Sequence, residues 1–249
     1  MHVLGQPATT ESLAPSKFLD HPSIVSHTFA PIIAVVGGVG SGKSSLIRST
    51  ASSLRAVVID GDHIGHDVLM RPDVRDALVS TFDKSILSPG GEIDRSALGK
   101  KVFGSDERSF QNRARLERIV HPLIKQEIKS QIENARRQPE IDVILLDAAV
   151  ILEAGWRDIC DAVVFLETPT ELRRQRVQQQ RGWSDAKWQT REASQLSLDE
   201  KRQAADFVVD NSGKIEDAGL QLQKFIHQLR SHLQQGGSAE SHPRRRSFP

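Results

Sequence analysis

The sequence predicts a three-layer α/β/α fold, with a five-stranded parallel sheet between two layers of helices. Three observations predict it. Short apolar runs alternate with longer amphipathic segments, the pattern of repeated βαβ units. The first run, Ile32-Ile33-Ala34-Val35-Val36, passes straight into a glycine-rich loop and then a helical pattern. Polar residues gather where the apolar runs end, at Asp60–Asp62, Asp147 and Asp210–Asn211. Parallel sheets of this kind bind ligands at the carboxyl ends of their strands. Their crossovers are right-handed, and helices cover both faces.

The elements follow in order. Residues 1–29 are rich in Ser, Thr, Pro and His without periodicity and read as a flexible N-terminal extension. The domain proper is expected over 30–235. After the loop, a helix should carry Leu46, Ile47, Thr50 and Leu54 on one face. Ala56–Ile59 reads as the second strand, ending in Asp60-Gly61-Asp62. From about 63 to 138 the pattern is mostly helical, broken at Ser88-Pro89-Gly90-Gly91, and reads as a helical insertion. Ile141–Leu146 is the third strand, ending at Asp147. Ala162–Leu166 and Phe207–Val209 are the fourth and fifth. Between these two, about 171–203 is dense in Arg and Gln and suits a lid. A last helix is expected over Ile215–Leu233. Residues 236–249, with Arg244-Arg245-Arg246, read as a disordered, solvated tail.

Composition narrows the class. The chain has 249 residues, 33 basic against 32 acidic, and a net charge of +1. That is no footprint for a nucleic-acid partner, which wants a strong basic excess. A single cysteine, Cys160, excludes an internal disulfide and a cysteine-only zinc cluster, and its place before an apolar strand suits a buried thiol. No apolar run reaches bilayer length, and the start lacks a basic segment followed by an apolar core. The expectation is a cytoplasmic protein with small-molecule partners, no membrane or nucleic acid, and a monomeric or weakly self-associating state.

The loop sets the chemistry. Gly37-x-x-x-x-Gly42-Lys43-Ser44 is the spacing of a phosphate-binding loop, here between a strand and a helix. The glycines let successive N–H groups turn onto a phosphate, and the helix N-terminus adds its dipole. Gly38, Val39, Gly40, Ser41, Gly42, Lys43, Ser44 and Ser45 are therefore the expected nucleotide cradle, and the fold is of the P-loop NTPase type. Lys43 should reach the β and γ phosphates, and the Ser44 hydroxyl should ligate Mg²⁺.

What the nucleotide is for follows from neighbouring residues. Asn211-Ser212-Gly213-Lys214 is not a guanine-reading motif, and Asp147 is followed by Ala148 where a hydrolase would carry a water-activating glutamate. A small-molecule kinase instead needs a carboxylate beside the acceptor hydroxyl, a helical acceptor lobe and an arginine-rich lid, and all three have candidates. Asp62 is the candidate base; Asp60 could take that part instead, or support the Mg²⁺ waters. By residue type alone, both could equally be turn-forming aspartates around Gly61. Asp147 ends its strand where a carboxylate could contact Mg²⁺ through water.

Taken together these residues resemble the dephospho-coenzyme A kinase family over about residues 32 to 230. Gly37-Gly38-Val39-Gly40-Ser41-Gly42-Lys43-Ser44 matches the family's loop, and Asp60-Gly61-Asp62 its Asp-Ala-Asp element, with the family's base falling on Asp62. Gly91-Glu92-Ile93-Asp94-Arg95, Val102-Phe103, His121-Pro122, Asp147…Glu153, Arg191, Gln195 and Ala205-Asp206…Asn211-x-Gly213 complete the match. The resemblance implies ATP and Mg²⁺ as cofactors. It implies transfer of the γ-phosphoryl to the ribose 3′-hydroxyl of dephospho-CoA. Lys43 and Asp62 would be catalytic, Asp60, Arg95 and His121 would face the acceptor, and Asn211 would shape the loop near the adenine. Arg95 competes with a plain Asp94–Arg95 surface pair, and His121 with a helix-starting role before Pro122. The chain departs from the family at Ala149-Val150-Ile151, at His66 where an arginine is common, and in the wider spacing of Arg176 and Arg181. Trp183 and Trp188 suit packing better than base stacking. The alternatives are another small-molecule or nucleotide kinase on this fold, or an assembly ATPase that uses nucleotide as a switch.

Overall fold

The structure is a computed structural model describing residues 30–104 and 106–236; the expected extension over 1–29 and the tail beyond Gly236 lie outside them. Five parallel strands form one sheet in the order β2-β3-β1-β4-β5. They are β1 (Ile32–Val36), β2 (Ala56–Asp60), β3 (Val143–Asp147), β4 (Ala162–Glu167) and β5 (Phe207–Asp210). The phosphate loop leaves the central strand, so β3 and β4 flank it on either side. Pairing of Asp60 with Asp147 brings the ends of β2 and β3 level.

Strand alternation sorts the core into two layers. Ile33, Val35, Leu145, Val164 and Leu166 face one layer, packed on α1 (Lys43–Ala51) and α9 (Ile215–Gly236) through Leu46, Ile47, Leu222 and Phe225. Ile32, Ala34, Val36, Leu146 and Phe165 face the other. There the helical insertion covers them: α2 (Gly61–Met70), α3 (Pro72–Phe82), α4 (Arg95–Val102) and α5 (Glu107–Arg136). The lid segment forms α6 (Thr170–Arg181), α7 (Asp185–Ala193) and α8 (Leu198–Ala204). A third small cluster, Val39, Val177 and Trp188, joins that segment to the phosphate loop.

Two expectations are corrected. The first helix stops at Ala51, so Leu54 packs from the following turn and not from the helix face. The His121-Pro122 pair starts no helix: α5 runs 30 residues straight through it. Proline costs an internal helix about 3 kcal/mol or more, but here Val120, Ile128 and Ile132 bury both sides of the interruption, and packing overrides the local preference.

Acidic side chains pin the strand starts. Asp206 Oδ2 accepts from the Val163 amide and from Arg157 Nη2, each at 2.7 Å. Asp161 Oδ2 accepts from the Ile32 amide at 2.7 Å. The aspartate of Ala205-Asp206 is thus a sheet staple at the end of β4 opposite the phosphate loop. Cys160 is buried, and desolvation pushes its thiol up to about 12, as suits an inert structural cysteine. Among the described residues no helix is long and apolar enough to cross a membrane.

Candidate functional site

The site grows from the loop at the end of β1. Gly42 caps α1 at φ 93°, and Gly40 sits at φ 83°, conformations that L side chains rarely adopt. At Gly40 a Cβ would also lie 2.5 Å from the Arg173 carbonyl oxygen, so the lid segment sits too close for any side chain there. Ser44 and Ser45 follow in the first turn of α1, exposed to solvent.

Two carbonyls of the loop are held from outside. The Ser41 carbonyl accepts from Asn211 Nδ2 at 2.8 Å, Arg176 Nη1 at 3.0 Å and Thr168 Oγ1 at 3.1 Å. The Val39 carbonyl accepts from Trp188 Nε1 at 3.2 Å and Arg173 Nη1 at 3.4 Å. In a planar trans peptide, C=O and the next N–H point opposite ways. Pinning these two carbonyls therefore turns the Gly42 and Gly40 amides to the other side, the side on which a phosphate would lie. Glu192 completes the grip: its Oε2 accepts from the Val39 amide at 2.9 Å, and its other oxygen pairs with Arg173. Trp188 and Glu192 stand four apart on α7 and so share a face. Trp188 is buried against Val39 and Val177, as its packing role predicts.

Three charged groups converge beside the loop. Lys43 Nζ donates to the Gly37 and Gly38 carbonyls at 3.2 and 3.3 Å. Its pKa falls to about 8, first through desolvation and then through Lys201, against the upward pull of Asp147, Asp62 and Glu192. Asp62 lies in the first turn of α2, and its pKa is raised, first by desolvation in the crowded cleft and then by Asp147 and Asp60. Lys43 and Arg181 pull it back down. The structure thus brings Lys43, Asp62 and Asp147 into mutual electrostatic contact. Asp60 Oδ1 accepts from the His63 amide at 2.9 Å and caps α2. Gly61 between them is forced, since a Cβ there would lie 2.8 Å from the Ala148 methyl.

The helical insertion holds the remaining candidates. Asp94 spends its carboxylate capping α4, accepting from the Ser96 and Ala97 amides, so no Asp94–Arg95 pair forms. Arg95 instead places Nη1 3.4 Å from His66 Nδ1. His121, mid-way along α5, packs edge-on against Trp156 with ring centroids 5.3 Å apart, and burial lowers its pKa.

Several residues escape a reading of the sequence. Lys201 is 1% exposed, and its amine meets Glu153 Oε1 at 3.0 Å and Gln195 Oε1 at 2.7 Å. Glu153 also accepts from the Leu196 amide at 3.1 Å, tying the loop after β3 to the base of the lid. Glu153 and Gln195 stood in the sequence motifs, but the lysine joining them sits in a polar helix with no local mark. Arg173, Glu192 and Thr168 are likewise invisible, because their partners lie more than a hundred residues away in the loop.

Mg²⁺ usually keeps several waters and takes one or two carboxylates plus substrate phosphates. The Ser44 hydroxyl, exposed at the helix N-terminus, and the Asp147 carboxylate, within electrostatic reach of Lys43, are a donor set of that kind.

Comparison with known proteins places this arrangement. A family model described as dephospho-CoA kinase matches residues 31–217. A dephospho-CoA kinase of Carboxydothermus hydrogenoformans is 36% identical over 194 residues, 77% of this chain and 91% of that protein. One of Dehalococcoides mccartyi is 34% identical over 186 residues, 75% of this chain and 91% of its own. Among solved structures, a Thermus thermophilus protein superposes with a TM-score of 0.67 at 28% identity, covering 81% of this chain and 98% of that one. The dephospho-CoA kinase of Campylobacter jejuni superposes with a TM-score of 0.58 at 25% identity over the same shares.

Proposed function

The chain belongs to the dephospho-CoA kinase family, and from that premise we propose how its residues carry the γ-phosphoryl of ATP to the ribose 3′-hydroxyl of dephospho-CoA, giving CoA and ADP. One observation carries the reading: Asp62 stands within electrostatic reach of Lys43, at the start of the helical layer that faces the phosphate loop. A hydrolase needs a positioned water there; a kinase needs a carboxylate beside an acceptor hydroxyl.

Gly38–Ser45 cradle the triphosphate through backbone N–H groups, with Asn211 holding the Ser41 carbonyl away from it. Lys43 exchanges its two loop carbonyls for phosphate oxygens and stabilises charge on the transferred group. Asp62 takes the proton of the 3′-hydroxyl, and its raised pKa suits that task because a base works best near the working pH. Arg181, close enough to Asp62 to lower its pKa, belongs on the lid side of the transferred phosphoryl. Ser44 and Asp147 would hold Mg²⁺, which when bound neutralises charge between the β and γ phosphates. Asp60 serves the acceptor side indirectly, by fixing the first turn on which Asp62 stands. Arg95 and His121 belong to the acceptor layer.

The test is ATP turnover with Mg²⁺, with and without dephospho-CoA, read by product mass. Dephospho-CoA should gain one phosphate at its 3′ position with stoichiometric ADP. ATP binding without that product would remove the acceptor assignment and leave the phosphate loop standing.

A further inference from the structure

The junction between the lid and the helical insertion holds an arginine whose guanidinium has no hydrogen-bonding partner among the described residues. Arg191 lies on α7, about 100° around the helix from Glu192, which grips the phosphate loop. Its guanidinium lies 3.8 Å from the ring centroid of Phe103, the residue that ends α4. The Arg191 carbonyl accepts from Ser194 Oγ at 2.8 Å, but among the described residues the guanidinium makes no hydrogen bond or ion pair. It is half-buried, yet beside it stands a second guanidinium, Arg113 of α5. Arg113 donates to the Ser194 carbonyl at 2.6 Å and to Glu117 at 2.8 Å, so the acceptor layer and the end of α7 are already bridged.

This arrangement is costly on its own. Two neighbouring cations repel, and half-burial strips Arg191 of water without giving its N–H groups an acceptor. Desolvation and the Arg113 charge both lower its pKa. A flat aromatic support leaves the guanidinium edge available, and that edge is a fork matched to phosphate oxygens. Resting on the functional reading above, the chemistry of the acceptor then selects the ligand. Dephospho-CoA carries one strongly anionic group, the diphosphate that joins adenosine to pantetheine.

We propose that Arg191, held flat by Phe103 and reinforced by Arg113, binds the diphosphate of the acceptor and thereby draws the lid and the helical insertion together around it. Trp188 and Glu192 of the same helix hold the phosphate loop through the Val39 peptide, while the Arg191 guanidinium is turned to Phe103 and Arg113 of the helical insertion. Arg191 is therefore an acceptor-binding residue of the lid.

Steady-state kinetics with each substrate varied in turn test this in wild type, Arg191→Gln, Arg191→Lys and Phe103→Leu. Arg191→Gln should lower kcat/KM for dephospho-CoA roughly 10- to 100-fold, mainly through KM, with KM for ATP within about twofold. Arg191→Lys, which keeps the charge but not the fork, should fall between Arg191→Gln and wild type, and Phe103→Leu should show a smaller KM effect. Circular dichroism checks that each variant is folded; should Arg191→Gln fail to fold, the same KM comparison is read from Arg191→Lys. An unchanged KM for dephospho-CoA in a folded Arg191 variant, or an equal rise in KM for ATP, overturns the proposal. Wild-type protein that transfers nothing to dephospho-CoA overturns the functional reading and this proposal with it.

Discussion

Around the phosphate loop, the Ser41 carbonyl alone takes hydrogen bonds from Asn211, Arg176 and Thr168, and the Val39 peptide is held at both ends by Glu192, Trp188 and Arg173. Across the cleft the charged groups are sparsely tied: among the described residues the Asp62 carboxylate makes no hydrogen bond or ion pair, Arg95 meets His66, and Arg191 rests on the Phe103 ring beside Arg113. The donor half is assembled by the fold. The acceptor half presents cations whose counter-charge the substrate brings. The difference is physical: a triphosphate is bound by a backbone loop whose conformation must be fixed beforehand, and that ordering cost is met during folding. Side chains facing a larger, more flexible acceptor can be ordered by it.

Breaking the donor half should cost most. Lys201 and Glu153 form a buried pair at the root of the lid, and one Glu153 oxygen, Oε2, has no hydrogen-bond partner among the described residues. Lys201→Met leaves the carboxylate buried without its cation and should destabilise the protein by about 3–5 kcal/mol. A shift of the thermal midpoint by less than about 2 °C would mean the pair is not the lid's anchor. The double variant Lys201→Met/Glu153→Gln should recover much of the loss. Next in size, Asn211→Leu removes a buried donor to the Ser41 carbonyl and should weaken ATP about tenfold, measured by calorimetry, with KM for dephospho-CoA much less affected.

The pH dependence sharpens the same contrast. Transfer should fall on the acid side as Asp62, whose pKa is raised, takes up its proton. It should fall again on the alkaline side as Lys43 loses its proton near pH 8, weakening ATP. In folded Lys201→Met the alkaline limb should move to higher pH, because Lys201 helps to depress the Lys43 pKa. The smallest effect is in stability. A lysine held at about 8 and not 10.5 disfavours the folded state below pH 8, and that penalty fades as pH rises from 8 to 10.5. Lys43→Met should therefore abolish transfer yet stabilise the protein by about 1 kcal/mol at pH 7, the relief of a shift worth about 3 kcal/mol less about 1 kcal/mol for each of the lost hydrogen bonds to the Gly37 and Gly38 carbonyls, seen as a higher melting temperature. A lower melting temperature would contradict the strained-lysine account.

Much of this was legible in the chain itself, for reasons of range. The loop spacing, the strands and the aspartates at their ends are local signals, and they lie in the structure where the pattern puts them. The strands run one residue longer at Asp60, Asp147, Glu167 and Asp210, because pairing partners extend them, and the third starts at Val143 and not at Ile141, since Asp142 before it spends its carboxylate on Arg55. The clamp on the loop was not legible, since Glu192 and Trp188 act on a residue about 150 positions away. The reading of His121-Pro122 as a helix start failed because burial on both sides outweighs the proline rule. The family resemblance marked Glu153, Gln195 and Asp206 without saying why. Contacts supply the reasons: the first two hold Lys201, and the third staples β4.

The most direct test of a donor half built independently of the acceptor half is Asp62→Asn, with ATP affinity and phosphoryl transfer measured on the same preparation. The account predicts ATP binding within about threefold of wild type and transfer reduced by about a thousandfold or more. Transfer retained within tenfold, or ATP affinity lost in proportion to transfer, would contradict it.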